Sequence, residues 1–252
     1  MVYGLWQSAA GLQVQEYRQA IIANNLANAD TPGFKADRIA FQERLNAATA
    51  HGDMRARNPV LDAMTGGLFE TPIYTDFAQG NIIPSNNPLD LAVEGDGFLT
   101  VQTKDGARYT RDGRLLMNAD GELVHAASGG AVLGNDSQPI VLDPVAREAV
   151  KIDESGQVSQ GERIAGRLAL VDFGDRQQLG KVGENLYSAN GLKGTEAHGS
   201  IRQSAYEAST VEPANVLVDL ISASRAYEAN ARLIALQDDS LGRVVNELGR
   251  VG

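Results

Sequence analysis

Cysteine is absent from the 252-residue sequence. Disulfides and thiolate metal sites are therefore excluded. Basic residues are in deficit: 22 Lys and Arg stand against 32 Asp and Glu, for a net charge of −10 and a pI near 4.8. Neutralising phosphates needs a basic face, so the balance argues against nucleic-acid binding. It argues equally against adhesion to an anionic membrane. No apolar run is long enough to span a bilayer, and an integral membrane protein is not expected. The first basic residue is Arg18, so the basic n-region of a secretory signal is missing and no cleaved signal peptide is expected.

Recognisable chemistry is also scarce. The three histidines, His51, His125 and His198, lack ligand spacing and are expected on surfaces or loops. No nucleophile elbow, P-loop or zinc-protease motif occurs. Gly95-Asp96-Gly97 begins like a dinucleotide fingerprint, but Thr100 stands where the third glycine belongs. Asn118-Ala119-Asp120-Gly121 resembles part of a calcium loop, but Leu116 and Ala127 occupy its first and last ligand positions. Acids such as Asp172 and Asp175 are expected to serve their turns. No catalytic residue, cofactor, metal or small-molecule substrate is expected.

What the sequence does contain is periodicity. Leu217, Leu220, Ser224, Tyr227, Ala231, Ile234, Asp238, Leu241, Val245 and Leu248 follow one another in alternating steps of three and four. That is a heptad row, the pattern of a helix held against a partner. Pro213 is placed to open it. A helix over residues 213–248 would span roughly 50 Å at 1.5 Å per residue. Glu228 with Arg232 and Asp239 with Arg243 are i,i+4 pairs on its exposed side. Ile221, Ala223, Ala235 and Val244 stand where a two-stranded coil would carry charges, and Leu233 and Leu236 add apolar surface outside the row. The helix is built for several neighbours. A second helix is predicted over residues 4–28, with a row of Gln7, Ala10, Val14, Tyr17, Ile21, Asn24 and Asn28. Asn24, Asn25 and Asn28, followed by Pro32-Gly33, make a strong stop. A short helix over residues 39–50 is compatible with the pattern.

Between the helices the grammar is that of strands. Short candidates fall at residues 89–93, 98–102, 108–110, 115–117, 123–125, 140–142, 150–152, 167–173 and 201–206. Asp96-Gly97, Asp105-Gly106, Asp112-Gly113 and Asp120-Gly121 supply hairpin turns. The expected fold is α+β. Long N- and C-terminal helices form an axial, coiled-coil-like core, and a central antiparallel β-domain lies between them in sequence. The expected divisions are residues 1–45 (N-terminal helix and turn), 46–80 (irregular linker), 81–210 (β-domain) and 211–252 (C-terminal helix).

Several stretches together resemble the axial proteins of the bacterial flagellum, the basal-body rod family. Asn24-Asn25-Leu26-Ala27-Asn28-Ala29-Asp30-Thr31-Pro32-Gly33-Phe34-Lys35 is similar to its N-terminal signature. Thr75-Asp76-Phe77-Ala78-Gln79-Gly80 and Asn87-Pro88-Leu89-Asp90-Leu91-Ala92-Val93-Glu94-Gly95-Asp96-Gly97-Phe98 are similar to the start of its β-domain. Tyr109-Thr110-Arg111-Asp112-Gly113 and Asn118-Ala119-Asp120-Gly121-Glu122-Leu123-Val124 continue the match, and Arg225-Ala226-Tyr227-Glu228-Ala229-Asn230 resembles the core of its C-terminal signature. The family's Ser-Asn-Val step into the last helix is here Ala214-Asn215-Val216. The chain is too short for the outer domain of a hook protein, so the resemblance is to proximal and distal rod proteins, with the proximal favoured.

The resemblance implies a non-enzymatic structural subunit that self-assembles by its terminal helices into the hollow rod crossing the periplasm. Its implied partners are copies of itself, other rod and hook axial proteins, and the flagellar type III export apparatus. The expected assembly residues are Val14, Tyr17, Ile21, Asn24, Asn25 and Asn28 on the first helix. On the second they are Leu217, Leu220, Ser224, Tyr227, Ala231, Ile234, Asp238, Leu241 and Val245. Asn25 and Asn28 are expected to satisfy backbone groups at the turn or across subunits. From the residues alone, a cell-wall glycan-acting β-domain enzyme or a small coiled-coil oligomer are the alternatives.

Overall fold

A computed structural model of the protein describes residues 2–39, 41–43, 68–70, 73–146 and 148–248. The chain divides into two compact units. One comprises Met1–Ala27, Asp37–Tyr74 and Pro213–Gly252, and the other Asn28–Ala36 and Thr75–Glu212.

The first unit is built on two helices, α1 (Val2–Ala27) and α2 (Pro213–Leu248), packed against each other. Both occur where periodicity predicts them. Pro213 opens α2 because its missing N–H falls in the first turn, where no intrahelical acceptor exists. α1 carries Asn24 and Asn25 in its last turn and stops at Ala27, just before Asn28 and the Pro32-Gly33 turn. Gly11 marks a close approach of the helices: a Cβ there would lie 3.3 Å from the Asn230 side-chain nitrogen. The short helix expected over residues 39–50 is not formed at Phe41–Glu43, which is a strand paired antiparallel with Leu68–Glu70. The remainder of that segment, and most of the linker expected over residues 46–80, lie outside the described residues, as does His51.

The second unit is antiparallel β. Phe98–Thr103 is the central strand of its largest sheet. It pairs on one side with Gly106–Thr110, and on the other with Leu170–Asp172 and Ala131–Val132. The sheet continues from Ala131–Val132 through Leu123–His125 to Leu115–Met117. Past Gly106–Thr110 it continues to Leu186–Ser188 and Gly180–Lys181. Phe98, Leu99, Thr100 and Val101 are all buried, so this strand is covered on both faces. A three-stranded meander (Val150–Ile152, Gln157–Gln160, Arg163–Arg167) and two ribbons complete the unit. The ribbons pair Leu91–Glu94 with Ser200–Gln203, and Ile82–Pro84 with Ala205–Glu207. One core is aliphatic, including Leu91, Leu99, Val101, Leu123, Val132 and Ile201. A second is aromatic, where Phe98 and Tyr187 meet at 5.8 Å and Tyr109 meets Phe173 at 4.8 Å.

Three strand expectations change in detail. Residues 201–206 fall in two strands, Ser200–Gln203 and Ala205–Glu207, broken at Ser204 with φ 56°. Residues 140–142 carry only an isolated bridge, Val141 to Glu122. Residues 167–173 fall in two strands, ending at Arg167 and starting again at Leu170. Of the Asp-Gly pairs, Asp105-Gly106 closes the expected hairpin, with Gly106 at φ 103°. Asp112-Gly113 does not make the turn expected of it. Gly113 is absent from the left-handed region, and a Cβ there would lie 1.9 Å from the Leu91 carbonyl oxygen. That glycine is needed for close backbone approach, and its aspartate is buried.

Candidate assembly surface

The sequence places the working residues on α1 and α2. On α2, Leu220, Ser224, Ala231, Ile234 and Leu241 are half-buried, whereas Leu217, Tyr227 and Asp238 are exposed. Val245 lies on α2, with its side chain outside the described residues. Ala223 is the buried residue of α2, and Val216, Ala226, Asn230 and Gln237 are half-buried beside those five heptad positions. The less exposed stripe therefore overlaps the heptad row but is displaced from it at Leu217, Tyr227 and Asp238. On α1, Ile21 is buried, Val14 and Tyr17 are half-buried, and Asn24 is exposed. Ser8, Ile22 and Asn25 join Ile21 as its most buried residues. The Gln15 and Gln237 amide oxygens are buried without hydrogen-bond partners. The helices therefore meet along a mixed seam that includes polar groups.

Asn25 and Asn28 both act on local structure. The Asn25 side chain donates to the Asp37 carbonyl at 2.7 Å and accepts from the Asp37 N–H at 3.0 Å, a two-armed clamp on one residue's backbone. Asn28 accepts from the Thr31 hydroxyl at 3.2 Å, and its carbonyl accepts the Thr31 N–H at 3.2 Å.

Beyond the turn, the N-terminal signature enters the β-rich unit, and there the structure brings together residues to which sequence reasoning assigned no role. Lys35 is wholly buried and donates to Glu207 at 2.5 Å and to the Ala78 carbonyl at 2.6 Å. Arg111 lies 3.4 Å from the other Glu207 oxygen, donates to the Gly95 carbonyl at 2.8 Å, and sits 5.2 Å over the Phe98 ring. Its Nε has no partner. Burial pulls the Lys35 amine and the Arg111 guanidinium below their ordinary values, while Glu207 opposes both shifts. Lys35 and Arg111 stand in quoted motifs and Glu207 in none, and 172 positions separate Lys35 from Glu207. Only the fold pairs them. Gly33 adjoins them at φ 69°, where a Cβ would lie 2.5 Å from the Arg111 and Asp112 backbone.

Asp112 anchors a second buried group. Arg114 donates to both of its oxygens, at 3.0 and 2.7 Å. His125 Nε2 lies 3.6 Å from Asp112 Oδ2, and its Nδ1 is 2.8 Å from the Ser128 hydroxyl. Burial favours the neutral acid, but His125 and Arg114 outweigh it and hold the carboxyl below the ordinary carboxylate range. The expectation of His125 on a surface is therefore corrected: it ends the strand Leu123–His125 and is fully buried, because that face of the strand points into the core. His198 is exposed, as expected. Asp175 caps a short 3₁₀ turn, accepting from the Gln177 N–H at 3.1 Å. Asp172 is held by Arg176 at 2.8 and 3.0 Å, which lowers its carboxyl from the ordinary range. Both serve their turns. Among the described residues no three acids or histidines are grouped to hold a metal ion, and no helix is long and apolar enough to cross a membrane.

Two long helices with unfilled apolar surface, attached to a β-rich unit with an ion-paired interior, define a structural protein that works by packing. Comparison with known proteins gives the family. The profile described as "Flagella basal body rod protein" matches residues 8–35. "Flagellar hook protein FlgE/F/G D1 domain" matches residues 92–160, and "Flagellar basal body rod FlgEFG protein C-terminal" matches residues 202–248. The flagellar basal-body rod protein FlgG of Buchnera aphidicola subsp. Baizongia pistaciae is 32% identical over 263 residues, covering 97% of this chain and 99% of the relative. FlgF of Caulobacter vibrioides is 35% identical over 233 residues, covering 92% and 91%. FlgG of Borreliella burgdorferi is 32% identical over 269 residues, covering 99% and 100%. The chain belongs to the flagellar basal-body rod protein family: it is a structural rod protein of the flagellar basal body and not an enzyme.

Proposed function

We propose that the chain polymerises through α1 and α2 into the hollow shaft of the rod and occupies its proximal part. The carrying observation is the apolar surface that α2 leaves uncovered. Leu217 is 47% exposed, Val218 64%, Ile221 54%, Leu233 49% and Leu236 65%. Such surface on one helix marks a protein–protein contact. Copies of this chain and other rod and hook axial proteins cover it, in a coiled-coil-like axial core. Val14, Tyr17, Ile21, Asn24, Asn25 and Asn28 contribute from α1. Leu217, Leu220, Ser224, Tyr227, Ala231, Ile234, Asp238, Leu241 and Val245 contribute from α2. Head-to-tail contacts whose rotation does not close generate an open helical filament. The chain reaches this place through the flagellar type III export apparatus, without a cleaved signal peptide.

A side-chain-resolution reconstruction of an assembled rod tests this. The expected result is a proximal layer in which α1 and α2 line the inner wall and Leu217 and Leu236 are covered by neighbouring subunits. A rod in which that face of α2 points to solvent would overturn the reading.

A further inference from the structure

The N-terminal signature and the residues before α2 are stitched together inside the β-rich unit. The Gly33 N–H donates to the Glu207 carbonyl at 2.7 Å, and the Thr210 N–H donates to the Phe34 carbonyl at 3.1 Å. The Ala36 N–H donates to the Thr210 hydroxyl at 2.9 Å. Glu207 stands at the centre. Its Oε1 accepts from Lys35 and from the Gly80 N–H at 2.7 Å, and Arg111 meets its Oε2. Since α1 ends at Ala27 and α2 begins at Pro213, these are the segments through which the chain passes between the β-rich unit and its two helices.

We infer that the Lys35–Glu207–Arg111 cluster is a positioning lock: it holds the roots of the two helices in one register in the free subunit, before any neighbour is met. This rests on the reading of α1 and α2 as the assembly elements. The physical argument is specificity. Apolar residues of similar volume could fill the space with equal or greater stability, because buried ions lose their hydration. Apolar residues would penalise a wrong register only by their lost burial, whereas stranded buried ions penalise it more heavily. Glu207 lies on the strand Ala205–Glu207, which pairs with Ile82–Pro84. A slip of one residue would turn its carboxylate to the opposite face and strand two buried cations. Buried charges thus make the misregistered chain costly, while Gly33 permits the close approach that no side chain would allow.

The test is amide hydrogen exchange on the full-length chain, with Glu207→Gln and with the double variant Lys35→Met/Glu207→Gln. The double variant removes the stranded lysine charge and covers the case in which the single variant fails to fold. The expected result is selective. Amides of Gly33, Ala36 and Thr210 exchange about 10-fold faster or more relative to those of the Phe98–Thr103 strand, which stay protected. In a null strain, either variant that folds is expected to restore rods poorly. Lock amides that stay as protected as in wild type, or that lose protection only in step with the strand, overturn the inference. Variants with selectively opened roots but full rod assembly overturn the positioning role alone. Failure of the rod reading is a different result: the wild-type chain would not restore rods, whatever its exchange pattern.

Discussion

Replacing Leu236 with aspartate separates folding from assembly. Leu236 is 65% exposed on α2. In the free subunit the change is a surface substitution, expected to alter stability by no more than about 0.5 kcal/mol. In the rod the same position is proposed to meet a neighbour. Full burial of a leucine is worth about 1.5–3 kcal/mol, so its exposed two-thirds leaves about 1–2 kcal/mol to be gained there. A carboxylate forfeits that gain and adds a desolvation penalty of several kcal/mol. A loss near 4 kcal/mol per contact weakens each association about 1,000-fold. The assay has two arms. Denaturant unfolding of the purified chain should match wild type within error. Swimming of a complemented null strain, and rods in its isolated basal bodies, should be lost. Ile234→Asp is the contrast, because Ile234 is half-buried and should lower subunit stability as well as assembly. Normal swimming and intact rods with Leu236→Asp would refute the assembly face.

Gly33→Ala should destabilise the β-rich unit by about 3 kcal/mol or more, since it adds left-handed strain to a backbone overlap; urea unfolding measures this, and a change under 1 kcal/mol contradicts it. Asn25→Ala should cost about 1–3 kcal/mol locally, because it removes both hydrogen bonds that the amide makes to the Asp37 backbone; faster exchange of the Asp37 amide reads it directly. Asp112 and Asp172 have carboxyls held below the ordinary range. Their stabilisation is present above the unfolded-chain value near 4 and is lost as pH falls through the lower folded values. The stability gap between wild type and Asp112→Asn should therefore be full at pH 7 and shrink on acidification toward pH 3, and a gap independent of pH would contradict the ion-pair account.

Local signals were legible in the sequence. Heptad spacing and Pro213 located α2, the asparagine cluster located the end of α1, and alternating apolar runs located strands such as Phe98–Thr103. Long-range pairing was not legible. Nothing near Lys35 announces Glu207, and nothing near Asp112 announces His125, because a strand's facing partner is set by the sheet and not by neighbours in sequence. Asp112-Gly113 misled for a related reason. The dipeptide has the chemistry of a hairpin turn, but its glycine answers a steric demand from Leu91 and its acid answers Arg114 and His125. Turn chemistry and buried-pair chemistry use the same letters.

The heptad row shows the limit of pattern reading most clearly. The alternating spacing of three and four puts Leu217 in the row and leaves Val216, Asn230 and Gln237 outside it. In the structure Val216, Asn230 and Gln237 lie in the less exposed stripe, while Leu217, Leu233 and Leu236 stay out in solvent. A helix with one partner would rotate its largest apolar residues inward, because each gains more from burial than an amide does. Accepting two buried amide oxygens without partners, at Gln15 and Gln237, makes the intramolecular seam the weaker of two possible faces. On the assembly reading proposed above, the more apolar face is the one left for other chains. On that argument α2 carries two registers, a polar-tolerant one toward α1 within the subunit and an apolar one for the polymer. The heptad row shares positions with the first and, at Leu217 and Tyr227, with the second.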